Sequence, residues 1–155
     1  MSGTITQSDI ADLLDAALAG SSVPGAALAV LHGGTLTTAS AGVACHGGPD
    51  MSPHHQFPIM SLAKGVTAMA AVSCAREGQL DLDEPVVRLL PQFRTMNREW
   101  SDAITLRHLL ANTSGLPPFH FIDTGDDDRA LQSYAATFAE VEPTFCPGAR
   151  FSYSN

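Results

Sequence analysis

Phe57-Pro58-Ile59-Met60-Ser61-Leu62-Ala63-Lys64 decides how this chain is read. From Ser61 the sequence continues to Glu77, small and apolar nearly all round past Lys64, which predicts a helix buried among other elements. Gly78 marks its end. Ser61 and Lys64 are three residues apart, so on a helix they project from one face with Cβ atoms about 5–6 Å apart. A serine hydroxyl is a weak nucleophile until a base takes its proton. A lysine amine does this only when burial or a neighbouring positive group lowers its pKa, and the apolar helix predicts such a setting. A serine at a helix start also brings free backbone N–H groups, its own included, to where an oxyanion would develop. The tetrapeptide by itself is weak, because S-x-x-K is frequent by chance and serine is a common N-cap.

Toward the N-terminus, Ile10, Leu13, Leu14, Ala17 and Leu18 follow helical spacing over residues 8–19, with Ser8 as the expected cap and Gly20 as the stop. Residues 25–31 form an apolar run, His32-Gly33-Gly34 a turn, and residues 35–44 a Thr- and Ala-rich stretch, which together predict a β-hairpin. Residues 45–58 read as loop. Toward the C-terminus, residues 80–85 are a turn into a short helix over 86–90, broken by Pro91. Thr105 caps a helix over 106–111, closed by Asn112-Thr113-Ser114-Gly115. Residues 116–128 are loop, 129–141 helix, and 143–155 extended or irregular.

That last segment holds Tyr153 and Asn155, a Y-x-N pattern in a chain with two tyrosines and three asparagines. In an extended segment residues two apart point the same way, so the phenol and the amide can reach one site. A tyrosine beside a lysine ammonium can share its proton and relay it to a leaving group, while the amide holds lysine or substrate. Taken alone, the pattern reads more readily as a loop tyrosine at the edge of a core beside a turn asparagine.

The 155 residues suit one domain, and 45% hydrophobic residues indicate a globular chain. A net charge of -8 argues against nucleic acid and against an anionic membrane surface as partners. No stretch approaches the length of a membrane span. No signal peptide is recognisable, and Cys45, Cys74 and Cys146 form neither a CxxC pair nor a disulfide framework, so a reducing cytoplasm is the expected location. His46, His54, His55 and His120 lack metal-ligand spacing, Asp126-Asp127-Asp128 lacks the calcium-loop alternation, and no phosphate-binding glycine loop is present. No cofactor is expected.

Five stretches, in order, resemble the class C β-lactamase and penicillin-binding-protein superfamily: residues 23–30, 57–64, 77–83, 104–117 and 147–155. They cover most of the chain. The resemblance implies an α+β fold, with this chain giving the N-terminal portion of the serine β-lactamase/penicillin-binding-protein fold. Residues 1–50 would be the N-terminal helix and first hairpin of a central antiparallel sheet, and residues 51–155 the mainly helical part carrying both motifs. It implies Ser61 as the acylated nucleophile, Lys64 as general base, Tyr153 sharing acid–base duty, and Asn155 orienting Lys64 and substrate. Whether lysine, tyrosine or both deprotonate the serine stays open. The segment from Leu106 to Gly115 would be structural.

The family has a third motif, a Lys- or His-containing triad ending in glycine on a later strand, which gives the second oxyanion N–H. No such strand is among these residues. The expectation is therefore a complementing C-terminal polypeptide, or a longer parent, without which the chain does not fold stably as a monomer. Cleavage after Asn155 through a succinimide is one chemical route to such a break. The expected activity is a cytoplasmic serine esterase, thioesterase or transacylase acting on a small ester, thioester or amide, with release or cyclisation of nonribosomal peptides among the options. A class C β-lactamase or D-amino-acid peptidase is the alternative, and a non-catalytic binding fragment is the alternative of another class.

Overall fold

The computed structural model describes residues 5–155. By its internal contacts the chain forms two compact units, Met1–Pro58 and Ile59–Asn155.

In the first unit, α1 spans Gln7–Leu18, and its cap is Thr6 rather than Ser8. The Thr6 hydroxyl accepts from the Asp9 N–H at 3.2 Å while the Asp9 carboxylate accepts from the Thr6 N–H at 2.8 Å, a reciprocal pair that satisfies two otherwise orphaned donors. The Thr6 hydroxyl, which donates to Asp9 Oδ2 at 2.7 Å, and then the Thr6 N–H hold the Asp9 carboxyl below its usual pKa. β1 (Gly25–His32) and β2 (Thr35–Gly42) pair antiparallel, with His32 opposite Thr35 across a two-residue turn. Gly33 and Gly34 both take positive φ, at 56° and 81°, which this tight hairpin turn requires and β-branched residues resist. Ile10 and Leu14 of α1 pack on Ala39 of β2, forming a small core.

In the second unit, a 3₁₀ turn at Met60–Leu62 leads into α2, Ala63–Arg76. The sequence predicts a buried helix here, but none of the α2 side chains is buried by the described residues, and Met69 is 75% exposed. The all-round apolar pattern anticipates more cover than these residues supply. Gly78, at φ 74°, ends the helix as expected. α3 is Val86–Leu89 and α5 is Leu106–Leu110, both close to prediction. Between them lies α4, Arg98–Ala103, which the sequence reading left unassigned. Its cap, Asn97, accepts from the Trp100 N–H at 3.0 Å. α6 covers Ala130–Thr137 and tightens into a 3₁₀ turn at Phe138–Glu140, so the predicted single helix is two pieces.

The core of this unit gathers Val86, Phe93, Ile104, Leu116, Phe138 and Val141. Ile104 is fully buried, and its backbone carbonyl accepts from the Val86 N–H at 2.8 Å, joining α3 to the start of α5. Ser101, also fully buried, bonds Thr95 Oγ1 at 2.7 Å and donates to the Asn97 carbonyl at 2.9 Å. Residues 143–155 contain no regular element and run beside the loop that follows α5.

Candidate active site

α2 presents its functional groups at its beginning. Ser61 lies in the 3₁₀ turn and Lys64 one turn on, and the lysine Nζ donates to Ser61 Oγ at 3.3 Å. Met60, immediately before the serine, has φ 48°, a left-handed conformation uncommon for a residue with a side chain. Such backbone conformations cost about 1–3 kcal/mol and persist where surrounding bonds determine them. Here the Leu62 N–H donates to the Ile59 carbonyl at 3.0 Å and closes the turn that displays Ser61. Among the described residues no hydrogen bond takes up the Ser61 N–H, as an oxyanion donor requires.

The other half of the site comes from residues 143–155, folded back along the chain between α5 and Pro118. Thr144 N–H donates to the Gly115 carbonyl, Gly148 N–H to that of Thr113 and Ser152 N–H to that of Asn112, each at 2.8 Å. Gly115, at φ 83°, permits the first of these contacts, since a Cβ there would collide with the Phe145 carbonyl. Ser154 Oγ donates to the Pro117 carbonyl at 2.8 Å, and both the backbone and side-chain nitrogens of Asn155 donate to the Pro118 carbonyl at 3.3 Å.

This strap carries Tyr153 and Asn155 to the start of α2. The phenol of Tyr153 donates to Ser61 Oγ at 2.7 Å, and Lys64 Nζ donates to Asn155 Oδ1 at 2.8 Å. Tyr153 also reaches Asn155 Oδ1 at 3.4 Å, and Lys64 Nζ stands 5.1 Å from the tyrosine ring centroid. All four residues named from the sequence thus meet in one hydrogen-bonded cluster. The Ser61 hydroxyl first, and the Lys64 ammonium beside it, hold the Tyr153 phenol below its ordinary pKa.

The side chains of three of the six histidines have local partners. His55 Nδ1 accepts from the Ser52 N–H at 2.9 Å, His108 Nδ1 accepts from the Thr105 N–H at 3.2 Å, and His120 bonds Thr137 Oγ1 at 2.7 Å. Among the described residues no helix is long and apolar enough to cross a membrane. Lys64 and Asn155 border a cavity of about 500 Å3, lined otherwise mainly by apolar side chains including Phe93, Leu109 and Phe138.

Sequence reasoning missed the groups that hold this cluster in place: the Pro118 carbonyl, Asn112 and the left-handed Met60. For Asn112 a signal existed, an asparagine directly after a helix, although it was read only as the helix stop.

A serine flanked by a tyrosine and a lysine, with an asparagine on the lysine, is the arrangement expected of the class of serine acyl-transfer proteins that dispense with a histidine base. The comparisons with known proteins agree with that class. Residues 10–155 match the Beta-lactamase family, and the chain belongs to it. Penicillin-binding protein 4 of Amycolatopsis lactamdurans is 34% identical over 132 residues, covering 84% of this chain and 35% of that protein. Esterase EstB of Burkholderia gladioli is 31% identical over 143 residues, covering 83% of this chain and 36% of its own. Among solved structures, SurE with D-Leu is 30% identical with a TM-score of 0.73, covering 96% of this chain and 33% of that one. The D-amino acid amidase of Ochrobactrum anthropi SV3, complexed with L-phenylalanine amide, is 26% identical with a TM-score of 0.70, covering 94% of this chain and 41% of that one. The expected α+β fold of the serine β-lactamase and penicillin-binding-protein type is therefore found. The chain spans from about a fifth to about a third of the length of the curated relatives it matches.

Proposed function

We propose that the protein is a serine hydrolase or acyltransferase that forms an acyl-enzyme on Ser61. One observation carries this reading: Ser61 Oγ lies 2.7 Å from the Tyr153 phenol and 3.3 Å from the Lys64 amine, although serine and tyrosine are 92 residues apart in sequence. In the reactive state the Tyr153–Lys64 pair is short of one proton. Ser61 Oγ gives its proton into that pair as it attacks the carbonyl carbon of the acyl donor. Negative charge develops on the carbonyl oxygen, toward which the Ser61 N–H is free to donate. Collapse breaks the bond to the leaving group, which takes a proton back from the pair, and the acyl group remains as the Ser61 ester. Water or an amine then attacks that ester and gives its proton to the pair; the bond from the acyl carbon to Ser61 Oγ breaks, and the serine oxygen takes the proton back. Asn155 fixes Lys64 through the 2.8 Å bond and so sets where its charge sits.

A small ester, thioester or amide is the proposed acyl donor. The esterase and amidase among the relatives support this class, and the neighbours named for D-Leu and for D-amino acid amides favour donors that include D-amino acid groups. The unpaired Cys45, Cys74 and Cys146 fit a reducing compartment such as the cytoplasm. A further strand with the family's Lys- or His-x-Gly triad, on this polypeptide's continuation or on a second chain, would supply the second oxyanion donor. Penicillin-binding protein 4 among the relatives favours, as the second reading, a β-lactamase or D-peptidase.

Turnover of p-nitrophenyl esters, an acyl thioester, a D-amino acid amide and nitrocefin by the full-length protein separates these readings. Turnover lost in Ser61→Ala is expected for at least one of the first three. Turnover of nitrocefin alone selects the second reading, and none with any substrate makes the chain a binding protein instead. Intact mass of the native sample under denaturing conditions shows whether a second polypeptide accompanies this one.

A further inference from the structure

We propose that Asn112 is the positioning residue for Tyr153, holding the backbone on both sides of the tyrosine so that its phenol meets Ser61. This inference rests on the acyl-transfer reading for its catalytic consequence, though not for its geometry. The Asn112 carbonyl accepts from the Ser152 N–H at 2.8 Å, and its side-chain Oδ1 accepts from the Ser154 N–H at 3.0 Å. One residue thus holds the backbone N–H groups of Ser152 and Ser154, the residues on either side of Tyr153.

Tyr153 needs such anchors. Tyr153 is 43% exposed, so packing by surrounding side chains does little to fix it, and residues 143–155 form no strand or helix that would. Direction toward Ser61 must therefore come largely from the backbone. Asn112 is suited to the task by its own conformation. It closes α5 with φ 56°, its N–H donating to the Leu109 carbonyl at 3.1 Å, and asparagine tolerates that left-handed state better than most residues. The turn points the carbonyl and the amide oxygen together at the strap. A hydroxyl or aliphatic side chain at this position lacks the planar acceptor at that reach.

Glycine separates the two roles of this residue. Asn112→Gly keeps the positive φ at no steric cost, leaves the backbone carbonyl in place and removes the side chain with its Oδ1 acceptor. The experiment uses the full-length protein labelled with 13C-tyrosine, the Tyr153 signal being assigned by its loss in Tyr153→Phe. Three quantities are measured in wild type and Asn112→Gly: the pH titration of the Tyr153 ring, the rate of Ser61 labelling by a fluorophosphonate, and the melting temperature. The expected result is a Tyr153 titration moved upward toward the ordinary phenol value and labelling slowed on the order of tenfold, with melting temperature nearly unchanged. An unchanged titration and labelling rate would overturn the proposal, as would a loss of labelling that only tracks a fall in melting temperature. If wild type is not labelled at all yet the titration still moves in Asn112→Gly, the clamp stands and the acyl-transfer reading falls.

Discussion

At the scale of single residues, Ser61 has two candidate proton acceptors, and they differ in what their loss should do. Lys64 touches both Ser61 and Asn155, and its charge helps keep the Tyr153 phenol acidic. Lys64→Ala is predicted to slow Ser61 acylation by about 10²–10⁴-fold, the usual worth of a positioned acid–base group. The fold should stay intact, since the lysine is only half-buried. An unaltered acylation rate would remove the lysine from the mechanism. For Tyr153 the informative variable is pH. Its lowered phenol pKa places the ascending limb of the rate–pH profile below the ordinary tyrosine value of about 10. Tyr153→Phe should abolish that limb, which stopped-flow labelling across pH 6–11 measures (a range of roughly five units around the expected limb). The same shift acts on stability. Because the folded state loses this proton before the unfolded chain does, the contribution is fully present above about 10 and is lost as pH falls through the lowered value. Spacing and residue type point to these four residues only weakly, and it is the resemblance of five ordered stretches that assigns their roles. Asn112 and Pro118 were not legible, because their contribution is a carbonyl or amide aimed at a strap folded back from far along the chain.

At the scale of elements, capping residues and buried hydroxyls decide where α4 and α5 begin. Thr105 accepts from the His108 N–H at 3.2 Å, so Thr105→Ala should cost about 1 kcal/mol, read by chemical denaturation. Ile104, just before it, is fully buried, and Ile104→Ala should cost about 2–5 kcal/mol. If Ile104→Ala proves no worse than Thr105→Ala, this core contributes less than its burial implies. α5 was legible because a threonine cap, an apolar run and a left-handed asparagine punctuate it. α4 was not, because Arg98–Ala103 carries no apolar period and its start depends on one asparagine cap. The exposed Asp83–Arg107 pair, at 2.6 Å, tethers the turn before α3 to α5. Asp83 is held below its usual pKa by Arg107, so its contribution is present above about 3.9 and is lost as pH falls through the lowered value.

At the scale of the whole molecule, the sequence pattern and the described residues disagree on one point, the cover of α2. Val66 and Met69 are 62% and 75% exposed on a helix whose composition suits an interior. An apolar cavity lies beside its first turn. Expressed alone, the 155-residue polypeptide is therefore predicted to bind a hydrophobic dye and to self-associate in sedimentation, and Met69→Gln should weaken both. A monodisperse monomer that ignores the dye would contradict this. The hairpin, α1, α2, α3 and α5 were legible because turn glycines, caps and helical periods act locally. Cover over α2 is a long-range property that no local pattern fixes. The central claim, an acyl-enzyme on Ser61, is tested most directly by mass spectrometry of the full-length protein after fluorophosphonate treatment, with peptide mapping. One adduct is expected, on Ser61, absent in Ser61→Ala and formed much more slowly in Lys64→Ala. An unmodified Ser61 in the folded protein, or an adduct that survives Ser61→Ala, would contradict the claim.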